Sequence, residues 1–280
     1  MNHVTPRIWI AVWFAFVLPR TIVAQTEDLE LLPPVEVTES QVLGEEPVFL
    51  PNEPNWTRPT TWFASPLWDF TYELGINGST GNAEALSILT SANLKKETDL
   101  TALTMGLTYA KTQAQGVETQ HYAIFNSRWD YKVNDRWFFY NKNTIEYDEF
   151  KAFDLRLVLS GGLGYHLIKN DHTTLTGRLG SGVSREFGGP DEDWIPEANF
   201  GADFEHKLTE RQKVAATVDY YPEWSNFADY RLVTNAYWEL LLDGEHNLSL
   251  KVGVIDRYDS TPNGRKPNDV DYFLTLLWKM

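Results

Sequence analysis

The stretch from Leu155 to Phe187 constrains this chain more than any other. Leu155, Leu157, Leu159, Leu163, Tyr165 and Leu167 all fall on odd positions, with Arg156, Ser160, Gly162, Gly164 and His166 between them. After a polar break at Ile168–Asp171 the pattern resumes. Leu175, Leu179, Val183 and Phe187 are odd; Thr174, Thr176, Arg178, Ser184 and Glu186 are even. A period of two is the signature of a strand with one apolar and one polar face, and the polar break makes the pair a hairpin. A polar face carrying Arg, His, Glu and several Gly suits the wet interior of a membrane barrel better than the core of a soluble sandwich.

The same alternation runs through the rest of the chain. It predicts strands near Trp68–Asn77, Glu84–Lys95, Leu100–Thr112, Thr119–Tyr131, Trp137–Tyr147, Asp154–Leu167, Thr173–Phe187, Pro196–Lys207, Lys213–Tyr221, Asp229–Leu241, Asn247–Tyr258 and Val270–Lys279. Each reaches the roughly 9–11 residues that a tilted strand needs to cross a bilayer, and several exceed it. The links between them alternate in length. Lys96–Asp99, Asn134-Asp135, Asn170-Asp171, Thr209-Glu210 and Asp243-Gly244 are tight polar turns. Longer links fall at Tyr147–Phe153, Gly188–Ile195, Pro222–Ala228 and Asp259–Asp269, with Ser79–Ala83 and Gln113–Glu118 shorter and Gly-containing. The fold expected is all-β: a closed antiparallel up-and-down transmembrane β-barrel of about twelve strands. Tight turns belong to the periplasmic side of an outer-membrane barrel and longer loops to the outside, so an even strand count puts both termini in the periplasm.

Aromatic content supports a membrane setting. The chain holds 11 Trp, 13 Tyr and 15 Phe, and amphipathic rings collect where headgroups meet water. Trp129, Tyr131, Trp137, Phe138, Phe139 and Tyr140 bracket one tight turn, with Tyr165, Trp238 and Trp278 near the same edge. Tyr109, Tyr122, Tyr147, Phe187, Tyr220, Tyr221 and Tyr258 fall toward the other.

The N-terminal quarter differs. Residues 1–24 read as a signal peptide, with Arg7, an apolar run at Ile8–Leu18 and a small-residue cleavage site at Ile22-Val23-Ala24. Residues 25–61 are acidic and Pro-rich without periodic apolar positions, as in a disordered periplasmic segment. Residues 62–280 carry the barrel. The chain has no Cys, so it offers no lipid-bearing thiol, no disulfide and no thiolate metal site. Its net charge of −15 argues against nucleic acid as a partner, which requires a basic footprint.

Ser79-Thr80-Gly81-Asn82 follows an acidic first strand. Gly162-Leu163-Gly164-Tyr165-His166-Leu167-Ile168 precedes Leu175–Gly182, and Trp224-Ser225-Asn226 lies further on. Together they resemble the DUF481 family of salt-induced, YdiY-like outer-membrane proteins, over roughly Trp62 to Met280. The resemblance implies an outer-membrane barrel linked to salt stress and brings no catalytic residues. The acidic segment of residues 25–61 departs from a minimal member of that family.

Chemistry is sparse. Asp191, Glu192 and Asp193, with Glu186, Glu197 and Asp203 near them, are carboxylates suited to a divalent cation at the outer loops. A solvated acidic loop is the simpler account of them, since the spacing is not that of an EF-hand, and no metal or other cofactor is assigned. His121 and Ser127 sit six residues apart on one strand, with no third group to orient a base as a hydrolase needs. Lumen candidates are Glu73, Arg156, His166, Arg178, Asp203, Asp219, Arg231, Glu239 and Lys251. Opposite charges inside a barrel form either a salt-linked plug or a narrow conducting path. In the last strand Tyr272, Leu274, Leu276 and Trp278 alternate with Asp271, Phe273, Thr275 and Leu277. Such a strand is the expected assembly signal for the barrel-assembly machinery, with Leu274 and Leu276 facing lipid and Thr275 a wet lumen. The expected role is envelope integrity or narrow solute passage under salt or osmotic stress. A lipid-face hydrolase and a soluble ligand-binding barrel are the alternatives.

Overall fold

The computed structural model describes residues 68–81, 84–190 and 192–280. The expectations for residues 1–61 lie outside these, as does Asp191. Twelve strands run in order: β1 (Trp68–Ser79), β2 (Ala85–Glu97), β3 (Thr101–Ala114), β4 (Val117–Lys132), β5 (Trp137–Asp148), β6 (Leu155–Lys169), β7 (Thr173–Phe187), β8 (Ile195–Thr209), β9 (Gln212–Pro222), β10 (Tyr230–Asp243), β11 (Leu248–Asp259) and β12 (Asn268–Lys279). Each pairs antiparallel with its sequence neighbours, and β1 pairs with β12 to close the barrel.

The alternation decides which face of each strand turns inward. On β6 the buried residues are Arg156, Val158, Ser160 and Gly164, all even. Leu159, Leu163 and Leu167 point out and are exposed. Leu107, Leu179, Phe204, Val218 and Leu274 are outward in the same way. Large apolar side chains outside and charged ones within invert the order of a soluble protein. This is the arrangement of a barrel surrounded by lipid, and it excludes the soluble ligand-binding barrel.

Parity also corrects the aromatic reading. Trp129, Tyr131, Trp137 and Phe139 stand on the outer surface, as a girdle requires. Phe138 and Tyr140 alternate with them and are buried in the lumen. Tyr122 and Tyr221, expected in the other girdle, are likewise inside. Clustering in sequence does not place rings together when neighbouring residues face opposite sides.

Link lengths follow the expected two-sided pattern with one exception. Between β3 and β4 only Gln115 and Gly116 remain outside the strands. Both have positive φ, 50° and 75°, the backbone of a two-residue hairpin turn whose second position favours glycine. The other links on that rim, such as residues 223–229 and 260–267, are longer.

Glycine lets large lumen rings in. The Phe138 ring lies where a Cβ on Gly164 would stand, and a Cβ on Gly180 would strike the Gly161 carbonyl and the Tyr140 hydroxyl. Gly164 pairs directly with Phe138 across β5 and β6. Removing one side chain makes room for the aromatic opposite.

Candidate functional site

The lumen is crossed by paired charges. Near the rim carrying the C-terminus, Glu239 on β10 binds Lys213 on β9 at 3.2 Å and Lys279 on β12 at 2.5 Å. One step further in, Lys251 on β11 reaches Glu73 on β1 at 2.9 Å. Thr275 on β12 donates to the same carboxylate at 3.3 Å.

A second group occupies the middle. Arg178 on β7 grips Asp203 on β8 at 2.7 Å and Asp219 on β9 at 2.8 Å. Lys142 on β5 reaches Asp219 at 2.6 Å, and Arg128 on β4 reaches Asp203 at 3.0 Å. Each of these last two contacts skips three intervening strands, so the side chains run as chords through the lumen. The Tyr140 hydroxyl donates to Asn199 Oδ1 at 2.6 Å beside them.

A third group lies toward the other rim. Arg231 on β10 meets both oxygens of Glu197 on β8 at 2.7 Å. Arg156 on β6 binds Glu186 on β7 and crosses to Asp259 on β11 at 2.8 Å. Arg257 on β11 pairs with Asp271 on β12 at 2.5 Å. Gln120 and Tyr122, both on β4, donate to the same aspartate at 2.7 and 3.3 Å. A cavity of about 240 Å³ opens among Arg156, Glu197, Tyr221 and Arg231.

Charges taken this far from water persist only when paired and hydrogen-bonded, and these are. The guanidiniums suit the role because each can serve two carboxylates at once. The resulting lumen is partitioned by side chains at several depths.

Every charged lumen candidate read from the sequence points inward: Glu73, Arg156, Arg178, Asp203, Asp219, Arg231, Glu239 and Lys251 all take part in these groups. His166 also faces in, 5.1 Å from the Phe138 ring and 2.8 Å from the Thr176 hydroxyl, outside the ion pairs. Arg128, Lys142, Asp259, Arg257 and Asp271 are equally part of the network, beyond the lumen candidates that the sequence offers. The parity of their strands places all of them on the inner face; Asp259, expected to open the link to the last strand, is the final residue of β11.

Thr275 corrects an expectation. It faces inward, but is only 1% exposed, wedged against Glu73. The lumen there is packed, not wet. Leu274 and Leu276 face outward, as expected, at 61% and 38% exposure.

The carboxylates expected near the outer acidic loop are engaged elsewhere. Glu186, Glu197 and Asp203 are the partners of Arg156, Arg231 and Arg178. Glu192 accepts from the Gly188 amide at 2.9 Å. A different group gathers on the outer surface, where Glu118 and Glu149 both approach His121 Nδ1, at 2.6 and 2.8 Å. Lys111 already pairs with Glu118 at 2.5 Å. His121 stands between Tyr109 and Tyr147, whereas Ser127 accepts from Asn143 at 3.4 Å. The two share the outer face without sharing a partner, so no nucleophile and base are assembled there.

Among solved structures, the NanC porin resembles this chain with a TM-score of 0.46 and 10% identity, covering 76% of this chain and 100% of that one. The KdgM porin in complex with disordered oligogalacturonate gives 0.42 and 11%, covering 75% and 98%. The translocator domain of the autotransporter NalP from Neisseria meningitidis gives 0.41 and 10%, covering 76% and 86%. No curated protein matches. The family model described as "Protein of unknown function, DUF481" matches residues 72–279, nearly the whole barrel from β1 to β12, and the chain belongs to that family.

Proposed function

We propose that this chain is an outer-membrane barrel whose lumen is held nearly shut by paired charges. Small solutes pass when salt or osmotic load loosens the pairing. The observation that carries this is the set of cross-lumen chords, Lys142–Asp219, Arg128–Asp203 and Arg156–Asp259. They narrow the lumen beside the Phe138, Tyr140, Tyr221 and Phe153 rings, and the span between facing walls is held by charge, so its width depends on electrostatics. Arg128 and Asp203 are about a quarter exposed, within reach of counterions. The screening length falls from about 8 Å at physiological salt to about 3 Å near 1 M. Rising salt weakens the exposed chords first, which fits the salt-stress link implied by the family resemblance.

Closed barrels with alternating apolar and polar faces are the β-form that spans bacterial outer membranes. By the same convention, the tight turns on the rim shared with the C-terminus support a periplasmic setting for that rim. The chain acts by passage rather than by catalysis. Outer-membrane lipid and the barrel-assembly machinery are its immediate partners, and divalent cations bridge the outer loops to anionic headgroups.

Planar-bilayer conductance tests the reading. The wild-type barrel should conduct weakly at low salt and rise faster than the bulk electrolyte as salt increases. Arg178→Ala, which removes the cation shared by Asp203 and Asp219, should raise low-salt conductance severalfold. A folded Arg178→Ala barrel as tight as wild type at every salt concentration would leave the network a purely structural role.

A further inference from the structure

The barrel wall is incomplete at one seam. β1 pairs with β2 along its whole length, from Trp68↔Lys96 to Ser79↔Ala85. β12 pairs with β11 from Leu248↔Trp278 to Tyr258↔Asn268. Between β1 and β12, however, the ladder covers only Thr71↔Lys279 to Leu74↔Leu276, extended at the C-terminal rim by reciprocal Phe70 and Met280 backbone bonds. The same register would continue with Ile76 opposite Leu274 and Gly78 opposite Tyr272, but pairing stops. Phe70 directs its amide toward β12, and in an antiparallel strand every second residue does the same. Ile76 and Gly78 on one side, and Tyr272 and Val270 on the other, therefore turn backbone groups into the seam beyond the last paired residues.

A cavity of about 680 Å³ lies at this place, and its lining is unusual. Ser87, Gln120 and Tyr122 come from inward faces; Ile76, Val252 and Tyr272 come from outward faces. One cavity can collect both sets only where the wall between them is interrupted. Its size falls within the roughly 300–1,000 Å³ of ordinary small-molecule sites.

An open sheet edge in hydrocarbon is costly, because lipid cannot satisfy backbone amides. It is tolerated where the edge lines a cavity that offers polar partners, and Asn77, Ser87 and Gln120 stand in this one. We infer that the β1–β12 seam is a lateral port for a single-chain amphiphile with an uncharged, hydroxylated head. The apolar rim of Ile76, Val252 and Tyr272 takes the chain from the bilayer. The head enters beside Ser87 and Gln120, which already bond Thr112 and Asp271, and meets the strand-edge amides and carbonyls, which call for acceptors and donors alike, as hydroxyls supply. Charge selects the head. Asp271 is the charged residue of the lining, and Arg257 already neutralises it at 2.5 Å. An anionic head would face the carboxylate, and a cationic head would compete with Arg257. The inference rests on the barrel spanning a membrane, not on whether its lumen conducts.

The test is photolabelling in liposomes by a monoacylglycerol carrying a diazirine on its chain, with the full chain reconstituted and its folding checked by heat-modifiable migration. Tyr122 is buried inside the barrel by the port, and Tyr221 is buried inside it elsewhere. A lipid-dissolved probe should label the Tyr122 peptide at least fivefold more than the Tyr221 peptide. Ser87→Trp or Asn77→Trp, each filling the lumenal half of the opening, should remove that excess in whichever variant folds. The same chain on a carboxylate, an amine or a phosphatidylcholine should label Tyr122 less. Equal labelling of Tyr122 and Tyr221, or an excess that survives both tryptophans, overturns the port. Stronger labelling by a charged or two-chain probe overturns the assigned head. Bilayer conductance plays no part in either outcome, so a tight lumen and an absent port are distinguishable.

Discussion

Arg156 on β6 donates to Asp259 on β11 at 2.8 Å, joining strands that lie on nearly opposite sides of the barrel. The guanidinium is 9% exposed and the carboxylate 12%. Glu186 and Glu146 also approach the same arginine, so one cation serves three carboxylates. Arg156→Met leaves those carboxylates buried without compensation and should cost about 3–5 kcal/mol. Adding Asp259→Asn should recover part of the loss. Urea unfolding of the four members of that mutant cycle measures the coupling; strict additivity would show that the contact is energetically silent.

The pair formed by Tyr140 and Asn199 lies deeper, at 2.6 Å, with Asn199 1% exposed. Tyr140→Phe keeps the ring and removes only the hydroxyl, the atom that also stands against Gly180. It strands a buried acceptor, for which the cost is about 1–3 kcal/mol. The shift in unfolding midpoint should exceed that of Tyr109→Phe, whose hydroxyl lies 3.5 Å from His121 on the outer face.

Inside and outside of the last strand can be told apart by substitution. Leu274→Arg puts a charge toward lipid and should cost about 2–4 kcal/mol. Thr275→Val should lose about 1 kcal/mol with its bond to Glu73. Thr275→Lys, in contrast to the tolerance that a wet lumen would give, forces a long cation into a packed site already holding Lys251. It should reduce the heat-modifiable fraction at least as much as Leu274→Arg. Ready folding of Thr275→Lys would mean that the lumen around Glu73 is hydrated after all.

Glycine 164 gives a steric test. Gly164→Val drives two methyl groups into the position of the Phe138 ring and should block closure of the β5–β6 pair, read as loss of the folded band. Phe138→Ala in the same chain should restore it in part. Failure of that rescue would place the clash elsewhere than the ring.

The sequence alone determined the strands, their order, their approximate ends and the side each residue faces. The reason is that a strand has a strict period of two, so apolar outside and polar inside are written residue by residue. By that rule Arg156, Arg178, Asp219 and Lys251 share the inner face, where the ion pairs lie, and Leu274 and Leu276 take the exposed outer one. Where the period was overlooked in favour of local clustering, as with Phe138, Tyr140 and Tyr122, the placement failed. Tertiary structure alone decided which charges meet. Lys142 and Asp219 are 77 residues apart, and their contact depends on how far closure staggers one strand against the next, which no local pattern encodes. It also decided that Thr275 is packed and not wet, because the side chains filling that level arrive from β1 and β11. The short β1–β12 ladder has the same origin: each strand is complete in its own alternation, and only closure of the ring reveals where the two edges part.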